Sequence, residues 1–351
     1  MEALILDRNF NAVGIVDAFE AFIWTERYNK CGDFELHVAA SESILNTIQI
    51  NYYIYLSESD RLMIVEAFQL TTDPQQGNKL KISGRSLESI LDRRIVWEQT
   101  MLDGYLQGQV KKLINQNIIS PADSNRCIPN FIFEDTDDPS ILAMQIRSQY
   151  TGDNLYEVIC AICEDFGIGF KITLNASNQF VFKLFNGADR SYDQNSNSPV
   201  IFSPQFDNLL ETAYSYNNVY LKTIGLVAGE GEGSDRKTID TGDNTITGLD
   251  RKELYIDARD LSTNDGEISD AEYYLQLMQR GDEKLAECTV ESYFEGSMET
   301  QISFRYGIDF FIGDIVEVEN EFGISSRCRI SDFVRAQDAR GFSAYPSFEM
   351  V

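Results

Sequence analysis

The sequence predicts a mainly β protein with α+β inserts, and three observations carry that reading. Short segments rich in β-branched and aromatic residues recur through the first hundred positions. Helical periodicity takes over from about residue 99. A strand–turn–strand plan near the start then returns near the C-terminus.

The early strands are Ala12–Val16, Ala21–Trp24, Phe34–Val38, Tyr53–Leu56, Leu62–Phe68 and Lys79–Ile82. Turn-forming clusters at 29–33, 57–60 and 73–77 punctuate them. Even spacing of short strands predicts a barrel or sandwich, and Ser86–Asp92 reads as a short helix after them. Residues 1–98 therefore form a first β domain. Helical spacing over 105–117, 139–148 and 154–166 and a hairpin (169–173 with 179–184) make 99–205 an inserted α+β domain. Strand signals resume over 209–227. After an acidic, glycine-rich stretch, a helix over 270–288 opens on Ser269 as N-cap and carries Tyr273, Leu277 and Leu285. The chain ends in strands. The resulting division assigns 206–230 and 290–351 to a second β domain and 231–289 to an insert with a long helix.

The repeat underlies that division. Tyr53–Phe68 is a strand, a turn and a strand ending on phenylalanine, and Ile315–Phe333 repeats the plan with a turn three residues longer. Polar turns and a further strand follow both, at 73–76 and 337–340. Two similar β domains, one at each end, are implied.

Composition narrows the function by exclusion. The 351 residues carry 29 Lys and Arg against 56 Asp and Glu, a formal net charge of −27. Such a surface repels nucleic acid and anionic membranes. The first residues have neither the basic start nor the apolar run of a signal peptide, which predicts a protein not exported by the usual route. Six scattered cysteines are too few for a disulfide scaffold. Cys160 and Cys163 have metal or redox spacing, but they sit in a segment of helical periodicity with no second such pair, and read as core thiols. The single histidine, His37, alternates with Leu36 and Val38 as an outward polar position. With one histidine and no GxSxG, HExxH or P-loop, no enzyme, catalytic residue, metal or cofactor is expected. Gly229-Glu-Gly-Glu-Gly233 superficially resembles a phosphate cradle, but Glu230 and Glu232 would repel an anion. It reads as a flexible connector, so replacing both glutamates with serine is expected to change nothing. In Ile315–Phe322, period two places Glu317, Glu319 and Glu321 on one face and Val316, Val318 and Phe322 on the other. That strand is either an ordinary half-exposed one or an acidic wall.

Several stretches in order along the chain resemble one family. They are Asp7–Phe10, Gly14–Tyr28, Gly32–Leu36, Ser83–Val96, Gly229–Arg236, Gly248–Leu261, Arg280–Glu287 and Tyr306–Val316. Together they resemble the siphophage tail-hub proteins, also called baseplate hub or tail-associated proteins. The resemblance implies two tube-type β-barrel domains per chain, the second split by an insert, forming a pseudo-six-fold trimeric ring. It implies a virion protein at the tail tip, contacting itself as a homotrimer, the distal tail protein, the tape measure protein and other tail-tip or receptor-binding proteins. DNA would pass without specific binding, and the acidic-wall reading of Glu317, Glu319 and Glu321 makes them the candidate lining of that channel. A carbohydrate- or receptor-binding tail-tip protein is the alternative, since aromatic-rich β domains bind sugars; the chain has 17 Tyr and 22 Phe.

Overall fold

The computed structural model describes residues 1–73, 77–209, 211–263, 268–297 and 304–351. The first β region comprises β1 (Ala3–Leu6), β2 (Ala12–Val16), β3 (Ala21–Arg27), β4 (Asp33–Ala39), α1 (Glu42–Thr47), β5 (Tyr53–Leu56), β6 (Leu62–Asp73) and β7 (Gly77–Ser86). A 3-10 helix follows over Leu87–Arg93, where the sequence had placed a short helix. The apolar alternation of β4 is realised directly: Phe34, Leu36 and Val38 are buried, while Glu35 and His37 are half-buried.

The inserted α+β region comprises β8 (Thr100–Tyr105), α2 (Leu106–Ile114), β9 (Phe131–Glu134), α3 (Pro139–Ala143), β10 (Gln145–Tyr150), α4 (Leu155–Asp165), β11 (Gly169–Leu174) and β12 (Phe180–Phe185). A π turn extends α2 over Asn115–Ile119. The side chain of Asn154 caps α4 by accepting from the Tyr156 and Glu157 amides at 2.9 and 3.3 Å. Gly167, at φ 62, ends it. Helix α4 buries Leu155, Val158, Ile159, Cys160, Ile162 and Cys163 against the 3-10 helix and β11. The helix expected over 139–148 is corrected: one turn forms after Pro139, and Gln145–Tyr150 then pairs antiparallel with Thr100–Tyr105.

The remaining elements are β13 (Ile201–Phe202), β14 (Glu211–Asn217), β15 (Ile224–Ala228), β16 (Thr238–Gly242), β17 (Glu253–Asp257), α5 (Asp270–Ala286), β18 (Glu291–Ser297), β19 (Ile315–Glu319), β20 (Ser325–Asp338) and β21 (Gly341–Met350). The chain divides into two compact units, 1–212 with 294–351, and 213–293. In the second unit β15 pairs antiparallel with β16 and parallel with β17. The domain boundary read from the sequence moves accordingly: Ile224–Ala228 belongs with the insert and not with the C-terminal strands. Ser269 caps α5 by accepting from the Glu272 amide at 3.3 Å, and Tyr273, Leu277 and Gly281 form its buried face.

In the large sheet the strand order is β14-β18-β21-β20-β3-β4-β7-β6-β5-β1-β2, with β19 on β20 and β13 on β19. The N-terminal run β3-β4-β7-β6-β5-β1 therefore has a counterpart in β14-β18-β21-β20-β19-β13. The match extends to details. The β6–β7 register slips between Val65 and Ala67, two residues before Phe68 is reached from Glu66; the β20–β21 register slips between Ile330 and Asp332, at the same place relative to Phe333. Asp73 pairs with Gly77 at the last position of the β6–β7 ladder, and Asp338 pairs with Gly341 at the last position of the β20–β21 ladder. The insert 218–290 lies between β14 and β18, where the first half has only the turn between β3 and β4. The halves differ at one edge, since β1 pairs β5 antiparallel and β13 pairs β19 parallel. The strands of both halves run as one 13-stranded sheet, joined where β20 pairs β3; closure of either half into a barrel is not among the pairings of the described residues.

Candidate functional site

The seam between β3 and β20 is the most unusual piece of chemistry in the larger unit. Period two places Phe22, Trp24 and Glu26 on one face of β3, and all three are buried, Glu26 to 2% exposure. On β20 the same alternation buries Phe333 and Arg335. The Glu26 carboxylate accepts from Arg335 Nη1 at 2.5 Å, from Ser59 Oγ at 2.7 Å and from the Tyr306 hydroxyl at 2.9 Å. Arg335 Nη2 donates to the Glu58 carbonyl at 2.9 Å. Its guanidinium carbon lies 4.9 Å from the Phe333 ring centroid and 5.2 Å from that of Tyr306, and these two rings stack at 3.8 Å. Burial, reinforced by the Glu26 charge, pushes the Tyr306 hydroxyl well above its ordinary pKa, so it stays a donor.

Beside this group Arg61 Nη1 donates to Glu88, whose same oxygen accepts from the Ile172 amide at 2.9 Å. Arg61 Nη2 and Glu88 Oε2 are buried and make no hydrogen bond among the described residues. Buried charge of this kind adds little net stability, because desolvation offsets the attraction, but removing one partner leaves an uncompensated buried charge and is strongly destabilising. A cleft of about 510 Å³ opens alongside, lined in part by Asp60, Arg61, Lys171, Arg190, Tyr306 and Asp314. Its charges pair with one another: Lys171 with Asp60 at 2.5 Å and Arg190 with Asp314 at 2.6 Å. The arrangement ties neighbouring strands together through paired charges.

Tyr28 forms a second joint, between the inserted region and the C-terminal strands. Its hydroxyl donates to Asn186 Oδ1 at 3.0 Å, and burial pushes it up to about 12. Gly169 and Gly313 close on its ring: a Cβ would lie 2.4 and 2.2 Å from Tyr28 Cε2, and Gly313 has φ 88. Neither joint was read from the sequence. The signal was present, since Glu26 and Arg335 each occupy the apolar phase of a strand, where a charge demands a partner.

The acidic strand is partly as expected. Glu317 and Glu319 share the half-buried face of β19, opposite buried Val316 and Val318. Glu321 does not join them, because the strand ends at Glu319 and a turn follows, held by Asn320 accepting from the Phe322 and Ile324 amides at 3.0 Å. Phe322 is 81% exposed and not on the apolar face. Glu317 stands opposite Arg327, which is bound to Asp189 at 2.7 Å.

The glycine-rich loop is also corrected. It is the turn between β15 and β16, and Glu230 is wired into it: the carboxylate accepts from the Thr263 amide at 3.0 Å, from Thr263 Oγ1 at 2.8 Å and from Lys237 Nζ at 3.0 Å. The Thr263 amide and hydroxyl, with Lys237, lower its pKa to about 2. Glu230 is a fastener, not a free connector residue.

His37 touches Glu35 at 2.5 Å on the half-buried face of β4. Cys160 and Cys163 are buried, and burial raises both thiols, Cys160 to about 11. Among the described residues no group of three His, Cys, Asp or Glu is placed to hold a metal, and no helix is long and apolar enough to cross a membrane.

Known proteins share this architecture. The prophage tail protein gp18 of Listeria monocytogenes EGD-e superposes with a TM-score of 0.53 at 15% identity, covering 95% of this chain and 90% of that one. The tail protein of Neisseria meningitidis MC58 gives 0.58 at 13% identity, covering 99% and 95%. The 43 kDa tail protein of prophage MuSo2 from Shewanella oneidensis gives 0.58 at 13% identity, covering 100% and 98%. At such identities the likeness is one of fold. None of the curated proteins matches the chain. The pattern of the Siphovirus ReqiPepy6 Gp37-like protein family matches residues 2–348, in agreement with the siphophage tail resemblance carried by the sequence, and the chain belongs to that family.

Proposed function

We propose that this bacteriophage tail protein is the structural hub at the distal end of the tail tube, and not an enzyme. Three copies, each contributing two tube-type β domains, form a pseudo-six-fold ring. The ring connects the distal tail protein to the tail tip and forms or closes the channel for DNA ejection. The observation that carries this reading is the strand-for-strand repetition of β3-β4-β7-β6-β5-β1 in β14-β18-β21-β20-β19-β13. A chain with two equivalent β modules meets a six-fold neighbour in three copies. The distal tail protein, the tape measure protein and other tail-tip or receptor-binding proteins are the partners the position requires. An acidic bore lets DNA slide without being held, and Glu317 and Glu319 on β19 are the candidate wall. The paired charges of the 510 Å³ cleft accord with an inert scaffold. Immunogold labelling of the C-terminus on intact particles tests the placement: label at the tail tip is expected, and label along the shaft or at the head overturns it.

A second reading, binding of carbohydrate or a receptor, draws on one observation. A cleft of about 550 Å³ in the 213–293 unit is lined by Tyr216, Asp250 and Lys252 among others, with Tyr216 58% exposed. Saturable binding of host-wall polysaccharide that disappears in Tyr216→Ala would favour it.

A further inference from the structure

Helix α4 carries Tyr156, Cys160 and Glu164 at four-residue spacing, which places them on one face. The turn between β3 and β4 runs along that stripe. At one end the Cys31 amide donates to the Tyr156 hydroxyl at 3.0 Å. At the other, Lys30 Nζ reaches Glu164 at 3.9 Å. Cys160 lies between these two contacts, on the face that meets the turn carrying Cys31. The Tyr156 hydroxyl is hydrogen-bonded to both thiols, and two sulfurs that share one hydroxyl oxygen are neighbours. The turn is itself pinned: the Gly32 amide donates to Ser86 Oγ at 2.8 Å, and Arg27 Nη1 donates to the Cys31 carbonyl at 2.9 Å.

Both cysteines are nearly out of solvent, Cys31 at 8% and Cys160 at 9% exposure. Burial raises both thiols, Cys160 to about 11. The dithiol form therefore gains little from ionisation, so a disulfide that replaces it forms slowly and resists reduction once made. A reducing cytoplasm keeps such a pair open, and an oxidising medium outside the cell favours its closure. Spacing alone pairs Cys160 with Cys163; the fold sets it beside a cysteine of a different element.

We infer that Cys31 and Cys160 close into a disulfide when the tail leaves the reducing cytoplasm, fastening the β3–β4 turn to α4. This rests on membership of the tail protein family and is independent of the hub reading. The oxidant is a small-molecule disulfide such as oxidised glutathione. Cys31 gives up its proton and attacks one sulfur of the oxidant, with Arg85 and Arg27 favouring its thiolate, and one small thiolate leaves. The Cys160 thiolate then attacks the Cys31 sulfur of the mixed disulfide and expels the second small thiolate. The two protons from the cysteines end on the two released thiols, so the two electrons lost by the protein reduce the oxidant. The bond joins the first β region to the inserted region across a long stretch of sequence, where a cross-link constrains the unfolded chain most.

The test holds the reduced full-length chain in oxidised glutathione, denatures it in iodoacetamide and maps the unreduced peptides by mass spectrometry. Cys127 is exposed, so glutathione on it reports that the oxidant has acted. A Cys31–Cys160 link is expected, and it is expected to persist in Cys163→Ser. Alkylated thiols at both positions in protein whose Cys127 carries glutathione overturn the proposal. So does glutathione retained on Cys31 or Cys160, or a link from either to Cys163 in its place. Oxidation is expected to raise the unfolding temperature of the wild-type chain and not that of Cys31→Ser; no rise, or an equal rise in both, overturns the fastening. Released particles treated in the same way without added oxidant are expected to carry the same link, and free thiols at both positions there overturn its closure on release.

Discussion

Glu230 sits on a turn flanked by glycines, and its carboxylate gathers an amide, a hydroxyl and an ammonium around it. Its folded pKa of about 2 lies below the ordinary value of 4.5, so its contribution to stability is complete above pH 4.5 and is lost as the pH falls through about 2. Glu230→Gln is therefore expected to speed hydrogen exchange at the Thr263 amide at neutral pH. The excess of wild-type over variant protection is expected to shrink between pH 4.5 and pH 2. Equal protection of the Thr263 amide in the two proteins at neutral pH would remove Glu230 from its role as fastener. The sequence concealed this role because the partner, Thr263, is 33 residues away and no local pattern announces it.

Among elements, α5 makes a close approach that only glycine permits. A Cβ on Gly281 would lie 2.5 Å from Thr241 Cγ2 and 2.7 Å from Val227 Cγ2. Alanine gains about 1 kcal/mol in helix propensity, but overpacking against branched side chains on strands costs about 1–3 kcal/mol. Gly281→Ala is expected to destabilise on balance, measured by denaturant unfolding; a stabilised variant would contradict the packing. The β3–β20 seam makes a sharper prediction. Glu26→Leu or Arg335→Leu alone strands a buried charge and is expected to cost about 3–5 kcal/mol, while the double variant recovers most of that loss. Additive losses in the cycle would show that the two residues do not act as a pair. Much at this scale was legible. The six early strands, the hairpin of β11 and β12, α4 with its buried cysteines, and α5 with its cap on Ser269 all carry their own periodicity. Where long-range pairing decides, the reading failed. Gln145–Tyr150 looks helical until β8 claims it, and Ile224–Ala228 was placed with the C-terminal strands until β16 and β17 bracketed it. β1 escaped because four residues are too few to show alternation.

For the whole molecule, the repetition is the fact that most constrains function, and it was faintly visible in the two hairpins ending on Phe68 and Phe333. Charge adds a second constraint. In the proposed ring three copies would carry three times −27, or −81, formal charges, a repulsion that counterions screen and that an acidic bore would turn toward passing DNA. Replacing Glu317 and Glu319 with lysine is expected to leave particles assembled and to slow genome ejection, more strongly at low salt, where DNA is held more tightly. Unchanged ejection at every salt concentration would place β19 away from the DNA path. The claim beneath all of this is that one chain supplies two equivalent modules to a six-fold axis. Cryo-electron microscopy of the intact tail tip, with the copies of this chain counted, tests it most directly. Three copies related by a three-fold axis, with the two halves of each sheet alternating around the bore, is the predicted result. Six copies, or three copies whose halves lie at different radii, would contradict it.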